Sequence, residues 1–310
     1  MLKLNKKFCD LGGVGLFRPA AWIRVSGEDA LSFLQGQLTQ ELREGRSPAV
    51  NYGLWLTQKG KVLADSWVIR ISAEECWIWS GWSAAAVIRE RLEAFIIADD
   101  VELEDHTQTV EGRIVAGPAG REVLVKAGIT PPDGGEVVHG EFGWVFRTRR
   151  GVEDAWEWVR PHGSQANEEP GPAWTAEDWE RARLLAGIPR VPEDLGGEDL
   201  PNEGGIEAAA ISYSKGCYLG QEVVARLKAL GRVRRRLVVV GGEGEVPTAS
   251  PLPLSAGGGA AGELRSRVAR SEGGWLGMAM VRTAVLDAAA GKEVVWEDPD
   301  GNPVHQVELA

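Results

Sequence analysis

Apolar residues recur along this chain with two periods, and the change between them marks its elements. In SGEDALSFLQGQLTQEL (26–42), Leu31, Leu34, Leu38 and Leu42 fall at helical spacing behind Ser26 and Asp29, two candidate caps. That predicts an amphipathic helix. Short apolar runs before and after it, AAWIRVSG (20–27), YGLWLTQKGKVLADSWVIRIS (52–72) and ECWIWSG (75–81), predict strands, the second run folding into two about the turn Gln58-Lys59-Gly60-Lys61. SAAAVIRERLEAFIIADD (83–100) returns to helical spacing, with Val87, Ile88, Leu92, Phe95 and Ile96 as its inward stripe.

Residues 110–160 predict strands again: EGRIVAG, REVLVKAG, EVVHG and FGWVFRTR, separated by Gly and Pro. Helices mixed with strand runs in this order imply an α+β architecture with antiparallel sheets. The polar stretch 161–173, PHGSQANEEPGPA, reads as a loop or linker. A helix follows in WTAEDWERARLLAGIPR, opened by Thr175 with Asp178 three residues on and closed by Gly187-Ile188-Pro189. From RLVVVGG (236–242) onward, short strands with Gly- and Pro-rich connections predict a small C-terminal β-barrel. This places two interleaved α+β domains in 1–231 and the barrel in 232–310. GGGAAG (257–262) matches the dinucleotide pattern in letters alone, because no strand precedes it and no helix follows.

Composition narrows the classes. A chain of 310 residues with net charge -11 is not a general binder of nucleic acid or anionic membrane, so any anion site must be local. Cys9, Cys76 and Cys217 are odd in number and far apart, which indicates neither a disulfide framework nor a metal site. With no signal-peptide pattern and no membrane-length apolar run, a cytoplasmic protein is expected. Trp55, Trp67, Trp77 and Trp79 lie in strand runs and read as packing.

The candidate chemistry sits in SKGCYLGQEVVAR (214–226). Gln221 to Leu230 is helical, with Gly231 as its stop, so Cys217 precedes a helix by about one turn. Lys215 and the helix dipole would favour a thiolate there, Gly216 and Gly220 would permit close approach or positive φ, and Gln221 and Glu222 offer an amide and a carboxylate. Between Lys215 and Arg236 stand seven basic residues and one acidic, a local reversal of the chain's charge.

These residues, Lys215-Gly216-Cys217-Tyr218-x-Gly220-Gln221-Glu222 with Ala225-Arg226 and Gly231-x-Val233-x-Arg235-Arg236-Leu237, resemble the KGCYxGQE signature of the YgfZ family of folate-binding proteins. That family is related to the glycine-cleavage T-protein, an aminomethyltransferase. Further blocks resemble it in order: LTQKGKVLADSWV, FIIADDVELEDHT, ERARLLAGIPR, LPNE (200–203) and GWLGMAMVR. The resemblance implies two α+β domains and a barrel ringed around a central folate site, with tetrahydrofolate or a derivative as cofactor. It implies iron-sulfur proteins as clients, in assembly or repair. Cys217 and Lys215 then carry over as the functional pair, and Gly216, Tyr218, Gly220, Gln221, Glu222 and Arg226 as the residues shaping the site. A folate-dependent one-carbon transferase is the alternative, against which one departure counts. Where the transferases resemble R-L-E-A-G-M-P, this chain has Leu185 in place of the pterin-binding carboxylate. Asp99 and Asp100 stand in a block that is acidic in the transferases, and they read equally well as a turn.

Overall fold

The computed structural model describes residues 12–45, 47–151, 154–164, 172–288 and 295–307. Cys9 and most of the 161–173 loop lie outside them. Three bodies of antiparallel strands are formed. The first sheet has the order β3-β4-β5-β2-β6, from β2 (Ala21–Ser26), β3 (Ala49–Leu56), β4 (Val62–Arg70), β5 (Glu75–Ser80) and β6 (Glu102–Asp105). The second has the order β1-β7-β10-β9-β8, from β1 (Gly13–Phe17), β7 (Val110–Ala116), β8 (Val137–Gly140), β9 (Gly143–Arg147) and β10 (Ala155–Pro161). Because β1 joins β7 across the whole first sheet, the two α+β units interleave.

The sheets share one core and cover their outer faces with helices. Trp22, Val50, Ile69 and Trp79 of the first sheet meet Val137, Phe146 and Val159 of the second. On the far side of the first sheet pack α1 (Ala30–Gln37) and α2 (Ala85–Glu93), through Phe33, Leu34, Ile88 and Leu92. Both predicted helices are shorter than their apolar spacing. Leu38 and Leu42 are buried beyond the end of α1, while Asp29 spends its carboxylate on the Asp100 N–H (3.0 Å) instead of capping. Val87 faces outward at 42 % exposure, so the buried stripe of α2 is Ala85, Ile88, Arg91 and Leu92. Asp99 and Asp100 lie in the bent connection between α2 and β6.

One predicted strand is a helix. All of REVLVKAG but its last two residues lies in α3 (Gly117–Lys126), which Pro118 opens and whose Val123 and Leu124 pack on the second sheet while Val125 is 60 % exposed. Three consecutive apolar residues imitate a buried strand; only the outward Val125 reveals the helical face.

A connecting segment then carries α4 (Ala176–Leu185), opened by the predicted capping box of Thr175 and Asp178, the short α5 (Glu207–Ala210) and α6 (Gln221–Leu230). Gly231, at φ 66°, ends α6 as expected. The closed barrel runs β11-β14-β13-β12-β15-β16, from β11 (Arg235–Gly242), β12 (Leu252–Ala256), β13 (Gly259–Ala269), β14 (Trp275–Arg282), β15 (Val295–Glu297) and β16 (Pro303–Gln306). Its one described helix, α7 (Thr283–Ala288), follows β14. The residues 257–262 are the turn and start of the β12–β13 hairpin, not a dinucleotide loop. Ion pairs tie the barrel to the connecting segment: Asp199, 2 % exposed, accepts from both Arg235 and Arg265. No helix among the described residues is long and apolar enough to cross a membrane.

Candidate functional site

The 214–220 loop leaves α5, crosses the edge of the first sheet and enters α6. Two apolar anchors fix it: Tyr218 and Val224 are buried among Leu54, Leu56, Val62, Val191, Leu195 and Met280, a cluster shared by sheet, connecting segment and barrel. Gly220 sits at φ 83° where a Cβ would come within 2.6 Å of the Thr57 carbonyl oxygen. Only glycine fits that turn. Gly216 differs, since it has no positive φ and no atom lies within 4 Å of where its Cβ would be.

Lys215 is the strongest constraint on the loop. Its ammonium is buried and donates to three backbone carbonyls, Gln35 O at 2.8 Å, Leu38 O at 2.6 Å and Gln40 O at 2.8 Å. These close the C-terminal end of α1, where carbonyls lack helical partners and the dipole favours a cation. Burial lowers the Lys215 pKa to about 8; the Glu41 carboxylate opposes that shift and Arg43 adds to it. The ammonium is therefore spent on the fold, and it does not serve the anion site expected of it.

Cys217 is exposed, between the buried Lys215 and the buried Tyr218. A thiol on a loop pinned from both sides is presented outward with little freedom to retreat. Cys76, by contrast, is fully buried in the first core, and burial pushes its thiol up to about 12. Among the described residues no group of three His, Cys, Asp or Glu side chains is placed to hold a metal ion.

The remaining predicted residues divide. Gln221 and Glu222 lie in the first turn of α6, with Glu222 exposed. Arg226 lies farther along the helix on the wall of a separate groove of about 930 Å3 that also carries Arg232, Arg234, Arg235 and Arg282. The basic run is thus not one anion site: Lys215 is buried, Lys228 covers the Tyr213 ring at 3.6 Å, and Arg235 is paired with Glu203 and Asp199.

A polar cluster with little trace in the sequence lies between the two sheets. Asp65 on β4 is buried; its carboxylate accepts from Ser83 Oγ (2.7 Å), Ser80 Oγ (3.3 Å) and Tyr52 OH (3.0 Å). Burial raises its pKa, against those three donors and Arg150. Arg150 is itself buried, pairs with Glu157 at 2.5 Å and lies over the rings of Phe17, Trp79 and Trp82 at 5.0, 5.2 and 4.6 Å. The one signal in the sequence was an aspartate in the middle of an apolar strand, LADSWV.

This cluster supplies the acceptors that a pterin's donor edge requires, but not the space. The cavity beside Asp65, walled by Trp67, Trp79, Trp82, Arg149, Arg150 and Ile188, has a volume of about 20 Å3. That is room for one water. As packed, these residues do not accommodate a pterin. Leu185 is not on this wall at all; it packs with Val239, Leu276 and Met278 against the barrel.

Comparison with known proteins agrees with this architecture. The GCVT N-terminal domain family matches residues 15–133, and the family described as the CAF17 C-terminal β-barrel domain matches 234–305. The human iron-sulfur cluster assembly factor IBA57, mitochondrial, is 28% identical over 264 residues, covering 79% of this chain and 71% of its own. The tRNA-modifying protein YgfZ of Vibrio vulnificus is 27% identical over 239 residues, covering 74% of this chain and 70% of its own. Among solved structures, the glycine cleavage system aminomethyltransferase T from Bartonella henselae superposes with a TM-score of 0.81 over 98% of this chain and 87% of that one. Their 18% identity makes this a likeness of fold.

Proposed function

The chain is a homologue of IBA57 and YgfZ among the glycine-cleavage T-protein-like proteins, and on that premise we propose that it is an accessory protein for iron-sulfur cluster assembly or repair, acting through Cys217. The observation that carries the reading is the presentation of that thiol: exposed, between a lysine locked to three carbonyls and a tyrosine buried in a three-way core. Rigid display of one nucleophile suits contact with a cluster on another protein better than enclosure of a small substrate. The Cys217 sulfur takes the place of one thiolate ligand on an iron, the displaced thiolate leaves carrying the Cys217 proton, and the client keeps the remaining ligands. A single thiolate does not hold a cluster by itself.

The Asp65 cavity has room for one water and not for a pterin, so the thiol chemistry is assigned without tetrahydrofolate. The same observation weighs against one-carbon transfer, in which the pterin must be held next to the reacting carbon.

The test uses a glutathione-ligated [2Fe–2S] cluster, titrated anaerobically into the full chain and into Cys217→Ser while the visible circular dichroism is followed. The wild type should exchange one glutathione for its thiolate and saturate. Cys217→Ser should leave the spectrum of the free cluster. Identical titrations would overturn the role given to this thiol.

A further inference from the structure

The groove of about 930 Å3 that carries Arg226 belongs to neither the Cys217 loop nor the Asp65 cavity. It runs between α6, the 231–234 connection and the start of α7. Its cations are of two kinds. Lys61 donates to the Glu198 carbonyl at 2.6 Å, and Arg235 is held by Asp199 and Glu203. The side chains of Arg226, Arg232, Arg234 and Arg282 are exposed and make no hydrogen bond or ion pair among the described residues.

Their placement costs the free protein something. Arg282 on β14 stands directly opposite Arg235 on β11 in the strand register, a like-charged cross-strand pair. Asp199 and Glu203 neutralise Arg235, while no acidic side chain among the described residues pairs with Arg282. In a chain of net charge -11, four unpaired guanidinium groups around one concavity make a focused positive field. Guanidinium groups match carboxylate and phosphate alike, so charge alone does not choose the ligand. The floor chooses. Leu200, Leu227, Val233 and Ala284 give it an apolar base, and among the described residues no aromatic ring lines it. Nucleobases would find no stacking platform there. The volume lies near the top of the range for small-ligand pockets, about 300–1,000 Å3, and is large for a lone anion.

We propose that this groove binds an acidic peptide segment of a partner protein, its carboxylates on Arg226, Arg232, Arg234 and Arg282 and its apolar side chains on the floor. The partner's identity as an iron-sulfur client rests on the accessory reading above; the peptide chemistry does not. The segment would hold the client on the chain while its cluster meets Cys217.

The probe is a fluorescein-labelled dodecapeptide of Glu-Glu-Leu repeats, with a Gln-Gln-Leu counterpart and a labelled twelve-nucleotide single-stranded RNA, titrated into the full chain and followed by anisotropy. The Glu peptide should bind saturably and weaken with salt. Its affinity should fall at least about tenfold in Arg232→Glu/Arg282→Glu, and no more than twofold in Arg89→Ala on α2 or in Cys217→Ser. The Gln peptide should bind at least about tenfold more weakly. Equal binding by the double variant, RNA binding that exceeds peptide binding and is lost in that variant, or self-association through the groove that excludes the peptide would each overturn the proposal. Failure here leaves the cluster titration of Cys217 untouched, and failure there leaves the groove standing.

Discussion

Two glycines of one loop make opposite predictions, and the contrast separates folding from function. Gly220→Ala forces an L side chain into φ 83°, which costs about 1–2 kcal/mol. Its Cβ would also lie 2.6 Å from Thr57 O and 3.1 Å from the Gly60 Cα, backbone atoms that can yield only by moving the β3–β4 turn. Overpacking of that kind costs about 1–3 kcal/mol, so the total is about 2–5 kcal/mol. Gly216→Ala meets no atom within 4 Å and needs no positive φ, so its stability should change by less than about 0.5 kcal/mol. The assay is urea unfolding followed by tryptophan fluorescence, paired with the cluster titration. Gly220→Ala should shift the midpoint down strongly. Gly216→Ala should leave the midpoint in place yet slow the exchange at Cys217, because the added methyl faces the space from which a cluster approaches. A stable Gly220→Ala would refute the packing argument, and an unchanged exchange rate in Gly216→Ala would refute the open approach to the thiol.

Other residues give sharper tests of single contacts. Lys215→Met leaves the carbonyls of Gln35, Leu38 and Gln40 without their donor; after the recovered desolvation of the ammonium is set against this, a net loss of about 2 kcal/mol is expected. Lys215→Arg should not restore it, since a planar guanidinium does not reproduce three converging ammonium bonds. The folded chain releases this proton near pH 8 and the unfolded chain keeps it to about 10.5. The unfolded state therefore binds more protons between those values, and the wild type should gain stability over Lys215→Met as pH rises through that window; a flat difference would contradict the burial assigned to the ammonium. Trp82→Ala removes one wall of the Asp65 cavity, so calorimetric affinity for tetrahydrofolate should rise at least about tenfold. Unchanged affinity would show that the cavity's size does not limit binding.

What the sequence disclosed followed from local chemistry. Thr175 with Asp178, Gly231 after α6 and the turn at Gln58–Lys61 each act within a few residues, and each stands where its spacing placed it. Contacts between distant residues were hidden. Lys215 looked like an anion-seeking partner for Cys217, yet its acceptors lie 175 to 180 residues away at the end of α1. Asp65 finds Tyr52, Ser80 and Ser83 only when β3, β4 and β5 lie side by side. The strand assigned to 121–128 failed because a run of apolar residues carries no period of its own, and packing on the second sheet decided for a helix. The arginines of 226–236 read as one cluster along the chain, while the barrel's register added Arg282 and removed Arg235 from the unpaired set.

The central claim is that Cys217, displayed by a loop whose lysine is spent on folding, does the chemistry. Its most direct test is rescue of iron-sulfur enzyme activity in a strain lacking this protein, comparing wild type with Cys217→Ser at equal abundance and equal urea midpoint. The account predicts full rescue by the wild type and none by Cys217→Ser. Normal rescue by the serine variant would contradict it.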